Sequence, residues 1–309
     1  MLFILFALFV IALVLLLPFI ARALRLHYST LATLQRNYWA KPRASGRSRI
    51  IATLTTTPLG ISQLEPTLKS LLDQSVQLDD IYLFVPQRFK NSDAEPPYTL
   101  PDFLEGLSAV TVVRVPTDHG PITKLFPALQ QEQDPDCRII FLDDDMVYQP
   151  RLFETLVAGS QEYPDNAVAM SGIVLDMSGT DLDNGSEDFN CKYLSRVDQD
   201  IDVVEGYNGV LVRKRFFGPD SLEINKLVDF SGPSGLPREA FFVDDTNISG
   251  FLHRKGVTRT MLRTPVRLGS GFFNLPLLFF QTRPRLSSNE NASRHNDRIT
   301  ARFYFNNSV

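Results

Sequence analysis

The sequence predicts an α/β fold in which helices flank a mixed, mainly parallel sheet. Three observations carry this. Residues 50–57, 80–86, 110–115 and 138–142 are short apolar runs rich in β-branched residues, as strands buried on both faces are. Between the first two, Ile61, Leu64, Leu68, Leu71 and Leu72 recur at helical spacing. Strand, helix, strand at that separation is a right-handed crossover, which makes the two strands parallel.

The chain has 309 residues, 44% of them hydrophobic, enough to bury one large core or two modest ones. A formal charge of -4 provides no basic surface field and argues against a nucleic-acid partner. Two cysteines, Cys137 and Cys191, exclude a disulfide scaffold and a cysteine zinc site. No internal repeat is visible.

Residues 2–24 are almost entirely apolar, interrupted only by Pro18, Arg22 and a few alanines. A run of about 20 apolar residues crosses a bilayer as a helix. A cleaved signal peptide has a basic start and a shorter apolar core, and neither is present. Residues 1–24 therefore read as a single-pass transmembrane anchor, 25–48 as a basic polar stem, and 49–309 as the folded domain. Arg22, Arg25, Arg36, Lys41, Arg43, Arg47 and Arg49 all follow the apolar run, so the positive-inside rule puts the domain on the cytosolic face. A Golgi-lumen arrangement is the alternative, and sequons at Asn184, Asn247, Asn291 and Asn306 are compatible with it.

Taken in order, residues 48–58 form the first strand and the turn after it, 60–74 an amphipathic helix, and 80–86 the second strand. A proline-containing polar loop fills 90–101, and 110–115 is the third strand. The turn 118–124 leads into a helix over 125–133, followed by the fourth strand at 138–142. Pro150 suits the first turn of the next helix. Residues 178–188 lack apolar periodicity and read as a surface loop. Residues 203–212 read as a strand interrupted at Glu205-Gly206-Tyr207-Asn208-Gly209. A helix opens near Asp244-Asp245 and stops at Gly256. Strand-like pieces surround Val266 and Phe279, and a polar tail holding His295 closes the chain.

The fourth strand runs straight into Asp143-Asp144-Asp145. Open α/β sheets bind ligands at the carboxyl ends of their strands. Side-chain alternation puts Asp143 and Asp145 on one face and Asp144 on the other. Two hard oxygen ligands make a partial site for Mg²⁺ or Mn²⁺, with substrate phosphates completing the shell. The plain alternative is an acidic turn.

Four features in order carry a resemblance: the opening strand with residues 53–58, Gly120-Pro121-Ile122-Thr123-Lys124, the three aspartates, and the Asp244-Asp245 pair. Over roughly residues 50–257 the chain resembles glycosyltransferases of the GT-A fold, most closely the family 2-like enzymes. The resemblance implies a nucleotide-sugar donor, a divalent metal held by the Asp-x-Asp motif, and inverting transfer to an acceptor hydroxyl with the later pair supplying the base. The acceptor would be a glycan, a lipid-linked molecule or a protein. The Gln-x-x-Arg-Trp segment of processive synthases is absent.

On this reading Asp145 and Asp143 hold the metal, against a helix-capping role for one of the three aspartates. Asp245, with Asp244 beside it, is the base. Adjacent carboxylates raise one pKa, a helix N-terminus lowers it, and an N-cap is the dull alternative. Lys124, Asp143 and Asp144 face the donor's phosphates or ribose, and Thr53, Thr55 and Thr57 surround its base. Against these stand a solvated lysine and ordinary β-propensity. Tyr207, Asn208 and Gly209 contact the acceptor, against a strand bulge. His295 is a third metal ligand, against an exposed histidine.

Other readings are a metal-dependent phosphoryl enzyme or a membrane-anchored sugar-binding protein that does not turn over. A haloacid-dehalogenase-like phosphatase needs a threonine where Val147 stands, and a nucleotidyltransferase needs a glycine-rich phosphate loop that Thr55-Thr56-Thr57-Pro58 does not supply.

Overall fold

The computed structural model describes residues 17–46, 48–175, 189–192, 197–232, 235–263, 275–276 and 290–305. Helix α1 covers 17–28. Of the expected anchor, residues 1–16 lie outside the described residues, and among those described no helix is long and apolar enough to cross a membrane.

The segment expected to be a polar stem is folded instead. Helix α2 (Leu31–Trp39) begins at Thr30, whose side chain accepts the N–H of Thr33, an N-cap that satisfies one free donor. It buries Leu31, Leu34 and Tyr38, one helical face, in the main core. The Tyr38 hydroxyl accepts the Leu78 N–H at 2.7 Å, which fixes the helix to the sheet. The basic residues of this segment hide that apolar stripe when the sequence is read by composition.

Strand β1 (Ile50–Thr55) pairs in parallel with β2 (Asp80–Pro86), and β2 with β3 (Thr111–Val115). The β1–β2 connection holds a short 3₁₀ turn, Ile61–Gln63, and then α3 (Glu65–Leu72), rather than one helix over 60–74, with Pro66 in its first turn. The 3₁₀ turn Gly120–Lys124 leads into α4 (Phe126–Gln131), and β4 (Arg138–Phe141) returns parallel to β1. A two-residue strand β5 (Met146–Val147) and helix α5 (Leu152–Glu162) follow. Strands β6 (Ala167–Ala169) and β7 (Gly172–Leu175) come next, too short for a period to show in the sequence, then β8 (Phe189–Lys192), β9 (Gln199–Asp200) and β10 (Val203–Val204).

Strand β11 (Val210–Arg213) inserts antiparallel between β4 and β6. After α6 (Ser221–Asn225) and α7 (Asp244–Arg254), β12 (Arg259–Met261) lies parallel to β6, and β13 (Leu275–Pro276) pairs with β5. The main sheet runs β3-β2-β1-β4-β11-β6-β12-β9. The strand pieces expected near Val266 and Phe279 and the loop 178–188 lie outside the described residues. The expected polar tail is instead helix α8 (Glu290–Phe305), which buries Ala301, Tyr304 and Phe305.

Alternation along the strands divides the core. Ala52, Leu54, Ile140 and Leu142 face α2, α3 and α5, while Ile51, Ile139 and Phe141 face α4, α7 and α8. The result is a three-layer α/β/α domain whose four parallel strands deliver their carboxyl ends to one edge.

Candidate active site

At that edge β4 gives way to the turn carrying Asp143, Asp144 and Asp145, each partly buried. Successive side chains go opposite ways. Asp143 Oδ1 meets Lys124 Nζ at 2.5 Å on the α4 side. Asp144 accepts a hydrogen bond from the Thr56 hydroxyl, and its carbonyl accepts one from Thr67 Oγ1 at 2.8 Å on the α3 side. Tyr148, fully buried, holds the turn from beneath. Its hydroxyl accepts the Asp143 N–H at 2.8 Å and donates to the Asp143 carbonyl at 3.0 Å. Burial, then Asp143 and Asp145, keep that hydroxyl well above its usual pKa, so it stays a donor.

The second acidic pair opens α7 and reaches the same lysine. Lys124 Nζ stands 2.8 Å from Asp244 Oδ2 and 4.0 Å from Asp245 Oδ1. Residues more than a hundred positions apart in the chain thus converge on one ammonium group that is 3% exposed. Burial opposes charge on Lys124, but Asp143, Asp244 and Asp245 outweigh it and hold the lysine protonated. Asp245 is pushed well above the usual carboxylate range, by burial first and by Asp244 next, with Lys124 and the Gly206 N–H acting the other way. The rise owes more to burial than to the like charge beside it.

The loop before β11 completes this wall. The Gly206 N–H donates to Asp245 Oδ1 at 3.0 Å. A β-carbon on Gly206 would stand 2.7 Å from Lys124 Nζ and 3.0 Å from Asp245 Oδ1, so any other residue here would displace the ends of both side chains. Asn208 Nδ2 donates to Ser171 Oγ at 2.9 Å, Tyr207 packs against the α3-side core, and Gly209 leads into β11. Glu205, just before, is buried with Oε2 unpartnered, and burial pushes its carboxyl up to about 7 against the pull of the Ser171 hydroxyl.

The remaining expected residues separate. Thr55 donates to the Phe84 carbonyl at 2.9 Å, and Thr57 Oγ1 accepts the Gly60 N–H at 2.9 Å, both at the cleft edge. Thr53 is wholly buried inside the sheet between Tyr82 and Phe141, which keeps it from a donor. Thr56, beside it in sequence, is the threonine that meets the acids.

His295 is exposed on α8. The acid of that helix that turns inward is Asp297, whose Oδ1 accepts Thr246 Oγ1 at 2.6 Å, one residue from Asp245. Burial pushes Asp297 up to about 6, with Asp244 adding to the rise and Thr246 opposing it. A carboxyl whose pKa is raised by folding contributes stability at low pH that is lost as the pH climbs through the folded value. The cost builds between about 4 and 6 and persists above, on the order of 1–3 kcal/mol. Asp297→Asn keeps the acceptor oxygen and removes the charge. It should raise Tm by several degrees at pH 8 and leave it unchanged at pH 4, as thermal melts at the two pH values will read.

The donor set suits a hard divalent cation. Three carboxylates, Asp143, Asp244 and Asp245, share one lysine, and Asp143 and Asp145 are the oxygen donors the turn after β4 could offer a metal. Among the described residues no group of three or more His, Cys, Asp or Glu side chains is arranged to hold a metal. The protein's share of a shell would therefore be one or two carboxylates, the usual case where substrate phosphates supply the rest.

No family model matches the chain, and no curated protein matches it significantly.

Proposed function

We propose that the protein is a membrane-anchored glycosyltransferase that moves a sugar from a nucleotide-sugar to an acceptor hydroxyl with inversion. The observation that carries this reading is the meeting of Asp143 with Asp244 and Asp245 around Lys124, at the carboxyl edge of the parallel strands. The reading takes the anchor from the apolar run before α1, and the acceptor wall from 206–209.

Transfer breaks the bond between the anomeric carbon and the diphosphate oxygen, whose electron pair leaves with the nucleoside diphosphate. The acceptor oxygen forms the new bond from the opposite face, and its proton passes to a carboxylate. Asp245 suits that task, because burial raises its affinity for a proton while the Gly206 N–H fixes one of its oxygens. Lys124 keeps Asp244 and Asp143 from repelling each other in the resting site. Mn²⁺ or Mg²⁺ held by Asp145 and Asp143 would supply Lewis-acid stabilisation of charge on the departing diphosphate.

The test is release of nucleoside diphosphate from a panel of nucleotide-sugars with Mn²⁺. Turnover of at least one donor that chelation stops and Asp145→Ala abolishes is the expected result. Sugar binding without turnover across the panel would leave the non-catalytic reading, and turnover indifferent to chelation would remove the metal.

A further inference from the structure

Helix α1 is fixed to the domain by buried charge. Asp73, with a side chain 4% exposed, pairs through Oδ2 with Arg22 Nε at 2.9 Å and through Oδ1 with Arg25 Nη2 at 2.6 Å. Leu26 sits in the core beside Leu31 and Leu34. Arg22 Nη2 also donates to the Tyr148 carbonyl at 2.6 Å. Tyr148 is the residue whose hydroxyl holds both backbone groups of Asp143, so one tyrosine separates α1 from the acidic turn.

The opposite face of α1 is apolar and uncovered in the described chain. Leu17, Ile20, Leu24 and Tyr28 are spaced along one stripe and are 51%, 42%, 51% and 79% exposed. Both arginines of the helix pair with Asp73, Arg22 largely buried and Arg25 half exposed. The chain ahead of the helix, residues 2–16, has no polar side chain at all. A contiguous exposed apolar face continuous with such a run needs a hydrocarbon partner.

We infer that this stripe lies in a lipid bilayer and that the acceptor hydroxyl is carried by a membrane lipid. The second part rests on the glycosyl-transfer reading. Arg22 stands about 7.5 Å along the helix axis from Leu17, at 1.5 Å per residue. Without a flexible stem, the cleft is held against the membrane surface. A hydroxyl borne on a lipid is presented to that cleft, whereas a soluble one gains nothing from the arrangement. The reaction is the same displacement, with the lipid's oxygen bonding to the anomeric carbon and its proton going to Asp245.

The full chain in phosphatidylcholine vesicles provides the test. Trp39 is the single tryptophan, so Leu24→Trp in a Trp39→Phe background reports on the stripe alone. Brominated phosphatidylcholine should quench its emission at least twofold, while Leu222→Trp in the same background, at a site 77% exposed on α6, should keep its emission. An unquenched Leu24→Trp overturns the bilayer contact, as does shielding that grows with protein concentration, which would mean a second copy. With Mn²⁺ and the donor panel, diacylglycerol or ceramide in the vesicles should accept sugar at least tenfold faster than a water-soluble short-chain analogue at equal bulk concentration. Equal rates, or transfer only to the soluble analogue, overturn the lipid acceptor. Failure of every donor to turn over, even to water, overturns glycosyl transfer itself and leaves the quenching result to stand on its own.

Discussion

Asp245→Asn should lower kcat by roughly 10²–10⁴-fold, the usual contribution of a positioned base, with donor affinity nearly unchanged. The amide keeps an oxygen to accept the Gly206 N–H, so the loop before β11 stays in place and only proton acceptance is lost. The wild-type rate should rise with pH as the carboxyl, whose pKa burial and Asp244 raise, gives up its proton. The variant's rate should be flat over the same range. Steady-state kinetics across pH 5–9, with nucleoside diphosphate binding measured separately, checks both parts. A variant retaining a tenth or more of the activity would move the base role to Asp244.

Lys124→Met should be the most damaging single substitution to stability. Methionine nearly matches the stem in volume but leaves three carboxylates facing one another, and removing one partner of a buried ion pair costs about 3–5 kcal/mol. Asp143 and Asp245 retain about a third of their exposure, which screens part of that repulsion. A loss near the lower figure, about 3 kcal/mol, corresponds to a Tm lower by roughly 6–12 °C. The deficit should shrink as pH falls, because protonation relieves the repulsion, and Mn²⁺ should restore part of Tm by taking the lysine's electrostatic place. Melts at pH 8 and pH 5, with and without the metal, read this directly. Equal deficits under all conditions would make Lys124 a packing residue.

The four parallel strands and both acidic segments are legible in the sequence because each is local: an apolar run followed at once by aspartates. What joins them is not local. Lys124 lies nineteen positions from Asp143 and over a hundred from Asp244, and no spacing rule links a lysine after a Gly-Pro turn to either. Tyr148 reads as one more apolar residue after the acids, since its hydroxyl does its work on a backbone that only the folded turn exposes. Two signals were readable. Leu31, Leu34 and Tyr38 have helical spacing among basic residues, and Ala301, Tyr304 and Phe305 mark a buried face in the closing segment. In both, abundant polar side chains conceal a stripe of no more than about two turns. The threonines show the limit of alternation. It gives the face of a side chain but not its depth, so Thr53 is sealed in the sheet while Thr56 reaches Asp144.

Strand β11 runs against its neighbour β4, so the segment ahead of it arrives at the same edge that the parallel strands reach with their tails. That reversal lets residues 205–209 enter the cleft as a separate module, hung from the start of a strand rather than from its finish. Changes in length or side chain there can reshape what the cleft admits while the half built on the parallel strands keeps its register.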